Sequence, residues 1–354
     1  MHSHNPAGTD GFDFLEFTTN DPAKLASQFE AMGFVPVAKH TSHDVTIYQQ
    51  NDIRFIINVT PNSMASKFAN AHGASVSAMG FRVHDAATAL RQALANGATI
   101  YQATDEQKIY DLPVIYGVGG SLIYFVDHQN NESNYAHHFK PIPGAAPKKT
   151  GLTYIDHVTH NLYRGNMITW ADFYTRIFNF REIRYFDIEG KVTGLKSKAM
   201  TSPCGKIRIP LNESSDDKSQ IEEFLRDFNG EGIQHIALGT NDIYHSVATL
   251  RADGLEFLDT PETYYELIDK RLPGHGESLA ELKKHRILLD GDTQKNKKLL
   301  LQIFTKNMLG PVFFEIIQRK GDEGFGEGNF RALFESIELD QIRRGVLNIE
   351  EEKA

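Results

Sequence analysis

The chain has 354 residues, 40% of them hydrophobic and 23% charged, and a formal net charge of −9. That length suits two domains of ordinary size, and the acidity argues against a nucleic-acid partner, whose binding surfaces are basic. No apolar run approaches the ~20 residues of a membrane span, and the single cysteine, Cys204, excludes an internal disulfide or a cysteine-built metal cluster.

The first residues, MHSHNPAGTDGF, have neither a basic start nor an apolar stretch, so no signal peptide is read and a cytoplasmic location is expected. A strand, FDFLEF, follows, and then a helix in DPAKLASQFEAMG. Asp21 can cap that helix and Pro22 fits its first turn. Leu25, Phe29 and Met32 share one face, and Gly33 stops it. RFIINV closes this first unit. A second unit runs from SAMGFRV through the helix DAATALRQALANG to SLIYFVD. The stretch from Phe139 to Leu152, FKPIPGAAPKKTGL, has no amphipathic period and reads as a linker. Beyond it, TYIDHVTHNL and the helix MITWADFYTRIFNF open a third unit. GIQHIAL, DIYHSVATLRADG and PVFFEIIQR make a fourth.

Four βαβββ-like units form an internal repeat. One unit cannot bury both faces of its sheet, and pairing two closes a curved sheet around a cavity. The expected fold class is therefore α+β, with two domains that are each a pair of βαβββ units forming an open, strongly curved barrel. The expected bounds are 10–140 and 152–347, the second domain ending in a C-terminal helix.

Strand alternation selects the chemistry. In TYIDHVTHNL, Ile155, His157 and Thr159 share one face, while Asp156, Val158 and His160 share the other. His235 lies between Ile233 and Ala237, and Glu315 between Phe313 and Ile317. His157 and His235 occupy the opening strands of units three and four, and Glu315 the closing strand of unit four. Two imidazoles and a carboxylate converging on one side of a metal leave the other side free, an arrangement that suits Fe(II) oxygenases. The plainer alternative also stands, since a strand histidine is more often hydrogen-bonded than metal-bound. Arg319, four residues on, could neutralise Glu315, whose burial unpaired would cost several kcal/mol.

At these residues the sequence resembles the 4-hydroxyphenylpyruvate dioxygenase family of the vicinal-oxygen-chelate superfamily. IDHVTHNL, IRIPLNE, GIQHIAL, LLQIFTK, FFEIIQR and GFGEGNFRALFESIE carry the likeness, to about Arg344, and the N-terminal part fits more loosely. The resemblance implies Fe(II) held by His157, His235 and Glu315. It implies substrate-binding roles for Ser197, Asn212, Gln220, Gln234 and Gln302, and for Phe304, Phe313, Phe325 and Phe330, with no further catalytic side chain. The implied reaction joins 4-hydroxyphenylpyruvate and O2 to give homogentisate and CO2 in tyrosine breakdown, and a homo-oligomer, dimer or tetramer, is expected.

FDFLEF, MGFRV and SLIYFVD lack the His and Glu of the ligand pattern, so the N-terminal half is expected to be metal-free, with Glu16 structural. The segment GEGNFRALFESIELDQIRR is expected to be a helix with Phe330, Leu333, Phe334 and Ile337 on one face. It could close over the pocket about Gly324, Gly326 and Gly328. The rivals are 4-hydroxymandelate synthase, against which Asn212 speaks because synthases tend to be apolar there, an extradiol dioxygenase, and a non-catalytic binding protein of the same fold.

Overall fold

The computed structural model describes residues 4–104, 108–129, 132–144, 149–189, 194–295 and 297–333. Its first half contains β1 (Thr9–Thr18), α1 (Pro22–Ala31), β2 (Val35–His40), β3 (Val45–Gln50), β4 (Ile53–Asn58), α2 (Met64–His72), β5 (Ser75–Val83) and α3 (Ala86–Ala95). These are followed by β6 (Val114–Tyr116), β7 (Leu122–Val126), a hairpin of β8 (His128–Gln129) and β9 (Glu132–Ser133), and β10 (Phe139–Pro141). The second half contains β11 (Leu152–Leu162), α4 (Met167–Phe178), β12 (Arg181–Glu189), β13 (Gly194–Thr201), β14 (Arg208–Ser214), α5 (Gln220–Phe228) and β15 (Gly232–Thr240). It continues with α6 (Ile243–Ala252), α7 (Glu262–Glu266), α8 (Ile268–Arg271), α9 (Leu279–His285), β16 (Leu288–Asp292), β17 (Lys298–Phe304) and β18 (Phe313–Lys320). Residues 327–333 begin one more helix.

The strands form two eight-stranded sheets, ordered β10-β2-β3-β4-β1-β5-β7-β6 and β12-β13-β14-β11-β15-β18-β17-β16. Each opening strand runs parallel to the closing strand of its own unit (β1 to β4, β5 to β7, β11 to β14, β15 to β18) and antiparallel to its partner unit's opening strand. That is the twofold plan expected from the repeat. The helix starts follow the capping signals, with Asp21, Asp85 and Asp242 each accepting a backbone N–H three residues on. Gly33 takes φ +91°, and a Cβ there would meet the Thr150 side chain at 2.5 Å.

Two details differ from the sequence reading. Among the described residues the second unit is a strand short: before β6 its place is held by a single bridge, Ile100 to Ile115. The predicted linker is not all linker either, because Phe139, Lys140 and Pro141 pair antiparallel with His40, Lys39 and Ala38 as β10. Phe334, Ile337 and the expected bound at 347 lie outside the described residues.

One apolar core runs through both halves. It holds Leu15, Phe17, Phe55 and Phe81 from the first sheet and Ile236, Leu238, Phe314 and Ile316 from the second, with helical residues such as Phe29, Tyr174 and Phe178. Phe314 meets Phe17 and Phe55 at ring separations of 6.4 and 5.9 Å, joining the halves. The opposite face of the first sheet is filled by Phe14, Tyr110, Tyr124 and Tyr135 among aliphatic neighbours. Buried Glu16 sits there, accepting hydrogen bonds from Asn58 Nδ2, Ser77 Oγ and Tyr110 Oη at 3.1, 2.9 and 2.7 Å.

Burial pushes the Glu16 carboxyl up, and its three donors offset that only in part. Between the ordinary and the raised value, the folded state keeps a proton that the unfolded chain has lost. The stabilisation is complete at low pH and is lost as pH rises through the folded value. In thermal melts from about pH 4 to about pH 8, wild type should lose stability relative to Glu16→Gln as pH rises. Parallel curves would show that Glu16 does not titrate in this way.

Candidate metal centre

On the inner face of the second sheet, strand pairing brings three distant residues together. β15 pairs with both β11 and β18, with His157 opposite Ala237, His235 opposite Phe313 and Ala237 opposite Glu315. His157 Nε2 lies 3.3 Å from Glu315 Oε2, and His235 Nε2 lies 3.5 Å from it. One ligand atom from each residue falls within 4.8 Å of the others. Ligands about 2.1 Å from one ion and at right angles are about 3 Å apart, so the two imidazole–carboxylate spacings are those of neighbouring ligands on one metal.

Hydrogen bonds at the two Nδ1 atoms turn both Nε2 atoms toward Glu315. His157 Nδ1–H donates to Asp156 Oδ1 at 2.8 Å, and His235 Nδ1–H donates to Gln234 Oε1 at 2.9 Å. Each bond fixes a ring with Nε2 facing Glu315. Thr159 Oγ1 lies 3.0 Å from His235 Nε2. Glu315 is 1% exposed, and its Oε1 has no hydrogen-bond partner among the described residues. An unpaired buried carboxylate oxygen costs about 1–3 kcal/mol or more, and a cation would remove that cost. Burial raises the Glu315 carboxyl, but the neighbouring imidazoles, His157 first, bring it below its ordinary value.

Arg319 does not take the role of counter-ion to Glu315. Its Nε and Nη2 grip Asp156 Oδ2 and Oδ1 at 2.7 and 2.8 Å. Burial opposes ionisation of Asp156, yet hydrogen bonds from Arg319 and His157 outweigh it and hold the carboxyl far below its ordinary value. Simple alternation misses this contact because β11 carries an irregularity between Ile155 and His157. Ile155 joins Val158 in the core instead of sharing the His157 face, and Asp156 reaches its neighbour's Nδ1. The same strand buries His160, whose imidazole is lowered to about 3 by burial.

A cavity opens beside the triad, lined by His157, Thr159, His235, Glu315, Phe186, Leu195, Ser197, Pro210, Asn212, Phe304, Phe325, Glu327 and Phe330. Five of the expected substrate residues, Ser197, Asn212, Phe304, Phe325 and Phe330, therefore stand on its wall. Ser197 and Asn212 face each other across the β13–β14 pair.

The other four lie elsewhere. Gln220 is exposed as the first residue of α5. Gln234 is engaged with His235 Nδ1. Phe313 stacks on the His235 ring at 5.0 Å and 17°. Gln302 is buried, and its Oε1 accepts from Asn329 Nδ2 at 3.3 Å. The wall residues Phe186, Leu195, Pro210 and Glu327 were not anticipated. The first three lie on β12 to β14, where ordinary strand patterning gives no chemical signal.

The C-terminal segment closes one side of this cavity. Of its glycines, Gly326 and Gly328 permit close approach: a Cβ would meet Gln302 Oε1 at 1.6 Å and Asp290 Oδ1 at 2.3 Å respectively. Gly328 N–H donates to Asp290 Oδ2 at 2.8 Å, and Tyr264 Oη donates to Asn329 Oδ1 at 2.6 Å. The root of the segment is thus fastened rather than loose.

Comparison with known proteins agrees with this architecture. Residues 3–140 match the family described as hydroxyphenylpyruvate dioxygenase, HPPD, N-terminal, and residues 154–267 match the glyoxalase/bleomycin resistance protein/dioxygenase superfamily. The chain is 59% identical over 351 residues to hemolysin VllY of Vibrio vulnificus (strain CMCP6), covering 97% of this chain and 98% of that one. It is 54% identical over 347 residues to a 4-hydroxyphenylpyruvate dioxygenase of Legionella pneumophila (strain Corby), covering 98% and 99%. A solved structure of a mutant 4-hydroxymandelate synthase from Streptomyces coelicolor superposes with a TM-score of 0.78 at 26% identity, covering 94% and 99%. With both halves matched and whole-length identity above one half, the chain belongs to the 4-hydroxyphenylpyruvate dioxygenase family, built on the glyoxalase-like fold of the vicinal-oxygen-chelate superfamily.

Proposed function

We propose that the protein is a 4-hydroxyphenylpyruvate dioxygenase that turns 4-hydroxyphenylpyruvate and O2 into homogentisate and CO2, with Fe(II) held by His157, His235 and Glu315. The observation that carries this reading is the Oε1 of buried Glu315, without a hydrogen-bond partner among the described residues, beside two imidazoles whose Nδ1 atoms are already engaged. Fe(II), when bound, supplies chelation of the α-keto acid and activation of dioxygen, the keto acid itself providing the electrons.

The protein's own part is orientation and shielding. Asp156 and Gln234 set the two imidazoles, and Thr159 borders the second. Ser197, Asn212 and Thr159 are the uncharged polar groups on the wall, and the first two would direct the substrate by hydrogen bonds. Phe304, Phe325 and Phe330 form faces against which an aromatic ring packs favourably. Phe330, 38% exposed, stands at the solvent side and would exclude water once substrate fills the cavity. Gln302 acts one step back, through Asn329. Tyrosine breakdown and a soluble homo-oligomeric state accompany this reading as proposals. No helix among the described residues is long and apolar enough to cross a membrane.

Anaerobic addition of Fe(II) and 4-hydroxyphenylpyruvate should give a weak visible charge-transfer band, and admitting O2 should yield homogentisate by mass spectrometry. A 4-hydroxymandelate product would overturn the reaction while keeping the metal. Glu315→Ala should lower both bound iron and turnover by at least 10-fold, on the scale of lost metal-site contacts. Unchanged iron content in that variant would remove Glu315 from the site.

A further inference from the structure

Arg319 joins the hydrogen-bond partner of His157 to the segment that lines the cavity. One edge of the guanidinium holds Asp156, through Nε and Nη2 at 2.7 and 2.8 Å. Asp156 Oδ1 in turn accepts from His157 Nδ1 at 2.8 Å. The remaining nitrogen, Nη1, donates to the carbonyls of Asp322 and Gly324 at 3.0 and 2.6 Å, the turn that leads into the cavity-lining segment. The guanidinium carbon also stands 5.5 Å from the centroid of Phe325. That ring, on the cavity wall, meets the His157 imidazole edge-on at 5.2 Å and 78°.

The contacts therefore close a loop: His157, Asp156, Arg319, the 322–325 turn, Phe325 and His157 again. The ion pair at its centre is largely withdrawn from solvent. Asp156 is 0% exposed and the Arg319 side chain 8%. A planar fork with five donors can serve a carboxylate and two carbonyls at once, which an ammonium cannot do with the same geometry.

We infer that Arg319 is a positioning residue that couples placement of the 322–330 segment to the orientation of His157. This rests on the reading of His157 as a metal ligand. Seating the segment on Nη1 fixes the guanidinium plane, the plane fixes Asp156, and Asp156 fixes the imidazole. Linkage runs both ways: whatever holds His157 in its ligating orientation must also favour the seated segment by the same factor.

The test is hydrogen exchange over peptides covering 320–333, with and without Fe(II) under anaerobic conditions, alongside Fe(II) titration of the metal-free protein. In wild type, Fe(II) should slow exchange in this segment. Arg319→Lys keeps the charge opposite Asp156 but loses the fork. It should weaken Fe(II) binding about 10–100-fold and abolish most of the Fe(II)-dependent protection. Phe325→Leu leaves the Asp156–Arg319 pair intact and serves if Arg319→Lys does not fold. It should reduce the Fe(II)-dependent protection while costing less affinity.

Wild-type protection in Arg319→Lys, or in Phe325→Leu if the first variant fails to fold, overturns the coupling. So does wild-type protein that binds Fe(II) with no change in exchange. Wild-type protein that binds no Fe(II) overturns instead the reading of His157, and this inference falls with it.

Discussion

Glu315 is a carboxylate placed where a carboxylate alone should not be. It is buried in a strand whose alternate residues, Phe314 and Ile316, belong to the shared core, and one of its oxygens has no partner among the described residues. Much of the second half can be understood as an arrangement around this charge. β15 is sandwiched between β11 and β18, so that both histidines arrive on the same side as the acid. The adjacent cation that might have neutralised it is turned to another task. Arg319 is committed to the fully buried Asp156 while keeping only 8% of its own side chain exposed, and such a pair is costly to break from either side.

The two halves illustrate how one backbone plan can be put to different ends. Both sheets have their opening strands side by side and closing strands parallel to them. In the first, the inner face is packed with Phe14, Tyr110, Tyr124 and Tyr135, and the Glu16 carboxylate is satisfied locally by Asn58, Ser77 and Tyr110. In the second, the buried apolar residues outside the shared core form only a small cluster of Ala237, Leu300 and Ile317, while Phe304, Phe313 and Phe325 stand around the imidazoles. The space so left is occupied by the triad and the cavity. Since the fold alone does not make chemistry, what separates filler from site is what the face carries: packed aromatic rings in the first sheet, and two imidazoles with a carboxylate in the second.

The repeat, the helix starts and the three converging residues were legible because they depend on local or periodic signals. Capping aspartates, a stopping glycine and strand alternation at His235 and Glu315 need no tertiary information. Alternation failed at Ile155–His157, where one irregular residue step re-aims the chain and brings Asp156 to His157. No residue type announces such a step. The positions of Gln220, Gln234 and Gln302 were equally out of reach. An amide on a strand or helix end reads the same whether it meets a ligand, a neighbouring imidazole or another amide. Only the three-dimensional neighbour decides, as Asn329 does for Gln302.

The short strand β10 has a consequence for the behaviour of the chain in crowded solution. An exposed sheet margin presents unpaired amides and carbonyls and invites foreign strands to add on. Phe139–Pro141 occupies that margin along β2 before any stranger can, and Ile142 N–H reaches back to Val37 O at 2.8 Å. Being three residues long and finishing on a proline, which has no amide hydrogen to offer, it provides little template for a further partner. The connection between the halves thus begins as a hem, sealing one border of the first sheet against self-association.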